Sequence, residues 1–253
     1  MNEVVVSTFF IAGLFFVVAF VYSSVGMGGG SSYTALMSIL GFEVLAIPLI
    51  SLMLNLFVST MGSINFIRNR HVKWKLILPF LVTSIPMAYI GGALHLPKTV
   101  FYWVLLVSLC FVAVRIYFWK DTRLQLELGP RRKLIISLLA GSVLGLIAGI
   151  VGIGGGIYLV PLIIILGLGS EKEAAACGVI FICLNSISGL AARLQFNAID
   201  ISNYIPLIIA VVIGGYLGSH LGSTRFAPRT MEKILGVIIL FAILSLGKKV
   251  LTP

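Results

Sequence analysis

The residues best suited to chemistry in this sequence are glycines. Two runs carry them: VYSSVGMGGGSSY at 21–33 and GIVGIGGGIYLVP at 149–161. Gly26, Gly28, Gly29 and Gly30 recur as Gly152, Gly154, Gly155 and Gly156, each 126 positions later. Glycine destabilises a helix interior and reaches backbone angles closed to other residues, so a triplet inside an apolar stretch marks a point where a helix opens. Where the chain re-enters a helix after the run, amide N–H groups and the positive end of the helix dipole bind an anion without a cationic side chain. Gly-interrupted apolar segments at matching places of two halves are the sequence pointer to a transporter's binding site. Ser31 and Ser32 add hydroxyl donors beside the first run, with Ser23 and Ser24 ahead of it, and Tyr158 adds one beside the second. Close helix packing is the competing use of glycine, and it accounts best for Gly145 and Gly149.

Two amides extend the candidate site. Asn55 and Asn185 lie 130 residues apart near the centres of two apolar stretches, as Phe66 and Phe196 do near their ends. On a helix Asn55 shares a face with Ser59, and Asn185 with Ser188 and Gly189. An amide in hydrocarbon needs partners; these are either interhelical hydrogen bonds or a solute in a shared cavity.

The charges exclude other chemistry. No Asp or Glu falls in mid-segment, which leaves no intramembrane carboxylate pair for hydrolysis, metal binding or a proton relay. Glu43, Glu171 and Glu173 open segments and read as helix caps. Arg193, near a segment end, reads as a cation snorkelling to headgroups, with an anion vestibule as its functional alternative. His71, His95 and His220 sit at segment ends. Cys110, Cys177 and Cys183 lie in apolar stretches and read as buried, inert thiols. Walker, HExxH and GxSxG motifs are absent, and GMGGG has no strand–helix setting for a dinucleotide. The expectation is a protein without catalysis, metal or resident cofactor.

The elements that position these residues follow from composition. The 253 residues are 59% hydrophobic and 10% charged, with a mean hydropathy of +1.13, whereas soluble domains carry about 25% charged residues. Apolar blocks long enough to cross about 30 Å of hydrocarbon recur throughout. The net charge of +10 belongs to loops, as the positive-inside rule requires, and is no nucleic-acid footprint. The first block, 4–42, is too long for one crossing and must open at the glycines. Blocks at 44–67, 76–94 and 99–119 follow. After a basic segment the plan repeats: 134–168 again interrupted by glycines, then 171–195, 201–221 and 231–246. Gly214-Gly215 echoes Gly91-Gly92, and Pro228-Arg229-Thr230 echoes Pro97-Lys98-Thr99.

An internal duplication explains these echoes. The fold class expected is an all-α polytopic membrane protein, with a first repeat at 1–120, a basic cytoplasmic linker at 121–133 and a second repeat at 134–253. Each half has four blocks, the first opened at its glycines, giving up to ten membrane segments. Lys and Arg counts barely separate parallel from inverted repeats. Loop charge favours inversion: RNRHVKWK is basic while its counterpart near Asp200 is not, and HLPK has one Lys where its counterpart has Arg225, Arg229 and Lys233.

GLIAGIVGIGGGIYLVPLIIILG, with its looser copy in the first half, resembles the TauE/SafE family, the toluene-sulfonate uptake permease group. The resemblance spans the whole chain and is closest at Gly145, Gly149, Gly152, Gly154 to Gly156 and Pro161. The first copy departs at Ser23, Ser24 and Ala35, the last standing where the proline would be. The resemblance implies transport of sulfite, sulfoacetate and other organosulfonate anions across the bacterial inner membrane. The expected function is therefore a secondary transporter of small sulfur-containing anions working by alternating access. The expected substrate contacts are Gly28, Gly29, Gly30, Ser31, Ser32, Asn55, Gly154, Gly155, Gly156, Tyr158 and Asn185. The partners are a small anion and the lipid bilayer. The coupling ion, H+ or Na+, and the oligomeric state are not encoded in any motif. A passive anion channel and a membrane accessory or assembly protein are the alternatives.

Overall fold

The computed structural model describes residues 8–24, 28–118, 129–196, 201–225 and 228–251. Gly26, most of the basic linker and Asp200 lie outside them. Among the described residues the chain forms α1 (Thr8–Ser24), α2 (Gly30–Ile39), α3 (Ala46–Arg68), α4 (Trp74–Ala93) and α5 (Lys98–Phe118). The second set is α6 (Pro130–Val151), α7 (Gly156–Ile165), α8 (Glu171–Phe196), α9 (Ile205–Arg225) and α10 (Pro228–Leu251), with a 3₁₀ turn at Ile201–Tyr204. Both overlong blocks open at their glycines. α6 begins at Pro130, within the stretch expected as linker, because proline at the first helical position has a fixed φ that suits helix initiation.

Local chemistry sets the helix ends. α6 stops where Gly152 takes a left-handed φ of 82°. α8 starts with a capping box: the Ser170 amide donates to Glu173 Oε2 at 2.9 Å, and the Glu173 amide donates to Ser170 Oγ at 3.4 Å. Glu173 also pairs with Lys73 at 2.6 Å. Glu173 is thus a cap, as its position implied.

Helix packing is set by small residues. Gly141, Gly145 and Gly149 bring α6 against the backbone of α4 at Phe80, Ser84 and Ala88, so the two helices run parallel. Gly214 and Gly218 bring α9 against α1 at Phe16 and Phe20 in the same manner. Each half therefore docks its first helix on the fourth helix of the other. Between them α3 and α8 cross in opposite directions: Leu52 meets Gly189, Thr60 Oγ1 lies 3.5 Å from Cys183 Sγ, and Gly62 meets Val179. The start of α8 sits beside the start of α4, which follows the end of α3.

Apolar side chains also cover the outside. Phe9, Val82, Val107, Leu139, Val143, Phe241 and Leu244 are all more than half exposed, an arrangement suited to lipid and costly in water. Among the described residues four helices, α3, α4, α6 and α8, are long and apolar enough to cross a membrane, and shorter apolar helices accompany them. Cys110 departs from the expected burial. It faces out of the bundle on α5, while Cys177 is buried and Cys183 half-buried.

Candidate functional site

The two breaks meet at one side chain. Asn55 lies near the middle of α3 and is 0% exposed. A Cβ added to Gly28 would stand 2.9 Å from Asn55 Oδ1, and one added to Gly154 would stand 3.3 Å from Asn55 Nδ2. At Gly30 a Cβ would run into Asn55 Nδ2 and come within 2.6 Å of the Ile153 carbonyl, so the two runs touch each other. Ile182 of α8 supplies the other wall, meeting Gly28, Gly154 and Gly156.

Hydrogen bonds tie the breaks together. Ser51 Oγ donates to the Gly152 carbonyl at 2.7 Å and lies 3.3 Å from the Gly30 carbonyl. Asn55 Nδ2 donates to the same Gly152 carbonyl at 3.2 Å. These bonds satisfy acceptors that the helix break releases. The donors are treated differently. α2 and α7 begin at the convergence without a side-chain cap at Gly29 or Gly155. Their leading amides and dipole ends therefore point at a buried place with no acid in either first turn.

Unsatisfied polar groups lie on α3 and α8, the two helices whose side chains meet the glycines. Asn55 Oδ1, both amide atoms of Asn185 and Ser186 Oγ are buried without a hydrogen-bond partner. Asn185 is 0% exposed and near the middle of α8, between the Thr60–Cys183 and Leu52–Gly189 contacts of the α3–α8 crossing. Native interiors leave few such groups, and each one left so needs a reason.

Other expected residues are not brought to this point. Ser31 and Ser32 hydrogen-bond Tyr22 of α1 at 2.6 and 2.9 Å, which commits both hydroxyls to holding α2 against α1. Tyr158 turns to α5, where its hydroxyl donates to the Ser108 carbonyl at 3.3 Å and its ring packs against Phe111. It lines an apolar cavity of about 430 Å³ between α5, α6 and α7. That cavity exists because the chain reverses after Gly155, sending α7 back along α6 from Leu144 towards Ile136. Arg193 does not snorkel. It is 4% exposed, and its Nη2 donates to the Gly149 and Ile150 carbonyls at 2.9 and 2.8 Å. A cation there satisfies the last carbonyls of α6 and the negative end of its dipole, which outweighs reaching for headgroups.

Ser51, Tyr22 and Ile182 were not singled out from the sequence. Ser51 had a readable signal, since it lies one turn ahead of Asn55 on the same face of a helix. Tyr22 and Ile182 had none, because one precedes a break whose path is unreadable and the other is an ordinary apolar residue.

Apolar helices opened at paired glycines around buried amides define a polytopic membrane protein of the transporter kind. The family model described as "Sulfite exporter TauE/SafE" matches residues 11–246, and the chain belongs to that family. It is similar to "Probable membrane transporter protein y4hK" of Sinorhizobium fredii, with 33% identity covering 92% of this chain and 95% of the relative. It is also similar to "Probable membrane transporter protein YjnA" of Bacillus subtilis, with 26% identity covering 87% and 92%. "Probable membrane transporter protein MJ0441" of Methanocaldococcus jannaschii shares 28%, covering 90% and 92%. No solved structure matches. The protein is an integral, multi-pass membrane transporter.

Proposed function

We propose that this transporter carries small sulfur-containing anions, such as sulfite, sulfoacetate or other sulfonates, across a cytoplasmic membrane by alternating access. The observation that carries this reading is the meeting of two uncapped helix starts, α2 and α7, at Asn55. Two amide-lined positive dipole ends at one buried point suit a compact oxyanion. Asn185 would supply further donors from α8. Gly28 to Gly30 and Gly154 to Gly156 let the backbone approach the anion, while Ser31, Ser32 and Tyr158 serve the walls and not the anion.

In this reading the halves are inverted repeats of five helices each. The support is directional: α7 doubles back beside α6, and α8 starts on the face that α3 reaches. The family description supplies sulfite as the first substrate to test. The decisive experiment is flux into proteoliposomes holding the purified protein. Sulfite or sulfoacetate uptake that saturates and exchanges with internal anion is expected. A linear, non-saturating conductance would favour a channel, and no flux for any sulfur anion or dicarboxylate would refute the proposal.

A further inference from the structure

A second site lies at the opposite end of α6 from the glycine break, about 28 Å away along the helix at 1.5 Å per residue. A cavity of about 680 Å³ opens between the first turns of α4 and α6, under the connection from α7 to α8. Its rim carries Lys73, Lys75 and Lys133, with Trp74 beside them. Lys73 is occupied by Glu173. Lys75 and Lys133 are exposed and have no ion-pair partner among the described residues.

Two features make this an anion site. First, α4 and α6 run parallel and both begin here, without a side-chain cap and without an acid in the first turn. Lysines in a first turn oppose the helix dipole. Lys75, Arg131, Arg132 and Lys133 accumulate at two such ends, and among the described residues none of them has an acidic partner. Second, the wall below the lysines is apolar, formed by Leu76, Pro79, Leu134 and Leu168. The neighbouring outer surface is apolar too, with Leu78, Leu134 and Ile135 about half exposed. A free anion has no use for such a wall, whereas an acyl chain fits it. Basic pockets between membrane helices with Trp at the headgroup level are the arrangement that anionic lipids occupy.

We infer that the α4–α6 cleft binds one anionic phospholipid, its headgroup phosphate between Lys75 and Lys133 and its chain along Leu76, Pro79 and Leu134. The lipid would brace the start of α4, which Glu173 holds from the other side through Lys73. This inference is independent of which solute is transported.

Native mass spectrometry and thermal unfolding of the purified full chain test it. Phosphatidylglycerol is expected to stay bound and to raise the unfolding temperature, and phosphatidylcholine to do neither. Lys75→Gln with Lys133→Gln is expected to lower the preference about thirtyfold. Lys98→Gln, at the start of α5 on the other side of the protein, should leave it intact. Equal retention of the two lipids by the unaltered protein would overturn the inference. So would inorganic phosphate that stabilises as strongly as phosphatidylglycerol and displaces it, since that would identify a free-anion site.

Discussion

At the second break Gly152, Gly154 and Gly155 hold φ angles of 82°, 79° and 79°, whereas none of Gly28 to Gly30 has a positive φ. The neighbours are nevertheless shared. A side chain at Gly28 or at Gly154 meets the same two residues, Asn55 and Ile182. The first triplet is therefore required for space, and the second for space and backbone conformation together. The two breaks also differ in how they are closed. The second has its last carbonyls held by Ser51, Asn55 and Arg193. The first is held through hydroxyls, by Tyr22 on Ser31 and Ser32 and by Ser51 on the Gly30 carbonyl. A repeated motif thus preserves the contacts with Asn55 and Ile182 while the fastenings around it diverge.

The largest effects should come from the two amides. Asn55→Leu and Asn185→Leu are both expected to cut anion flux by about 10- to 100-fold, the loss of a hydrogen bond to a charged group. Only Asn55→Leu should also lower stability, because Asn55 holds the Gly152 carbonyl and Asn185 holds nothing. Asn185→Leu removes an unpaired buried amide and should leave unfolding unchanged or shift it upward. Parallel loss of stability in both variants would assign Asn185 a structural duty.

Next in size, Gly154→Ala should destabilise more than Gly28→Ala, by about 1–2 kcal/mol, the cost of a left-handed residue with a Cβ. Denaturant unfolding in detergent reads this difference. Equal midpoints would mean that the backbone of the second break relaxes freely, and the distinction drawn between the breaks would fail.

Arg193→Gln should cost about 1 kcal/mol, within the range for a cation at a helix C-terminus. It should loosen the end of α6 alone, which hydrogen exchange at residues 148–152 would register. Protection lost equally at the end of α1 would contradict this confinement. Smallest of all, Tyr22→Phe should cost about 0.5–1.5 kcal/mol, one net hydrogen bond, and leave substrate affinity unchanged. A fall in affinity would return Ser31 and Ser32 to the solute's immediate surroundings.

Much of this arrangement was legible because it rests on composition and spacing. Apolar blocks, the two openings and the central positions of Asn55 and Asn185 all follow from single-residue properties. Arg193 was misread because its partners are main-chain carbonyls 43 and 44 residues away, and no side-chain pattern announces a carbonyl. For Tyr158 and Ser31 nearness in sequence to the glycines was the only guide, and it did not reveal their partners Ser108 and Tyr22. After a break the direction of the chain decides which side chains stay near, and one tight turn after Gly155 sent Tyr158 to α5. Ser51 was readable in principle from its one-turn spacing to Asn55, but serine is common in membrane helices and its two acceptors belong to distant residues.

The exchange of first and fourth helices has a consequence for biosynthesis. α1 docks on α9 and α4 on α6, each through backbone contacts that glycine alone permits. A nascent chain paused after Phe118 has delivered α1 and α4 to the bilayer with neither mate yet translated. The earlier half must wait in lipid for the later one, so completion of the core is tied to the final helices leaving the ribosome. Two separately expressed fragments should accordingly recover activity only when made together.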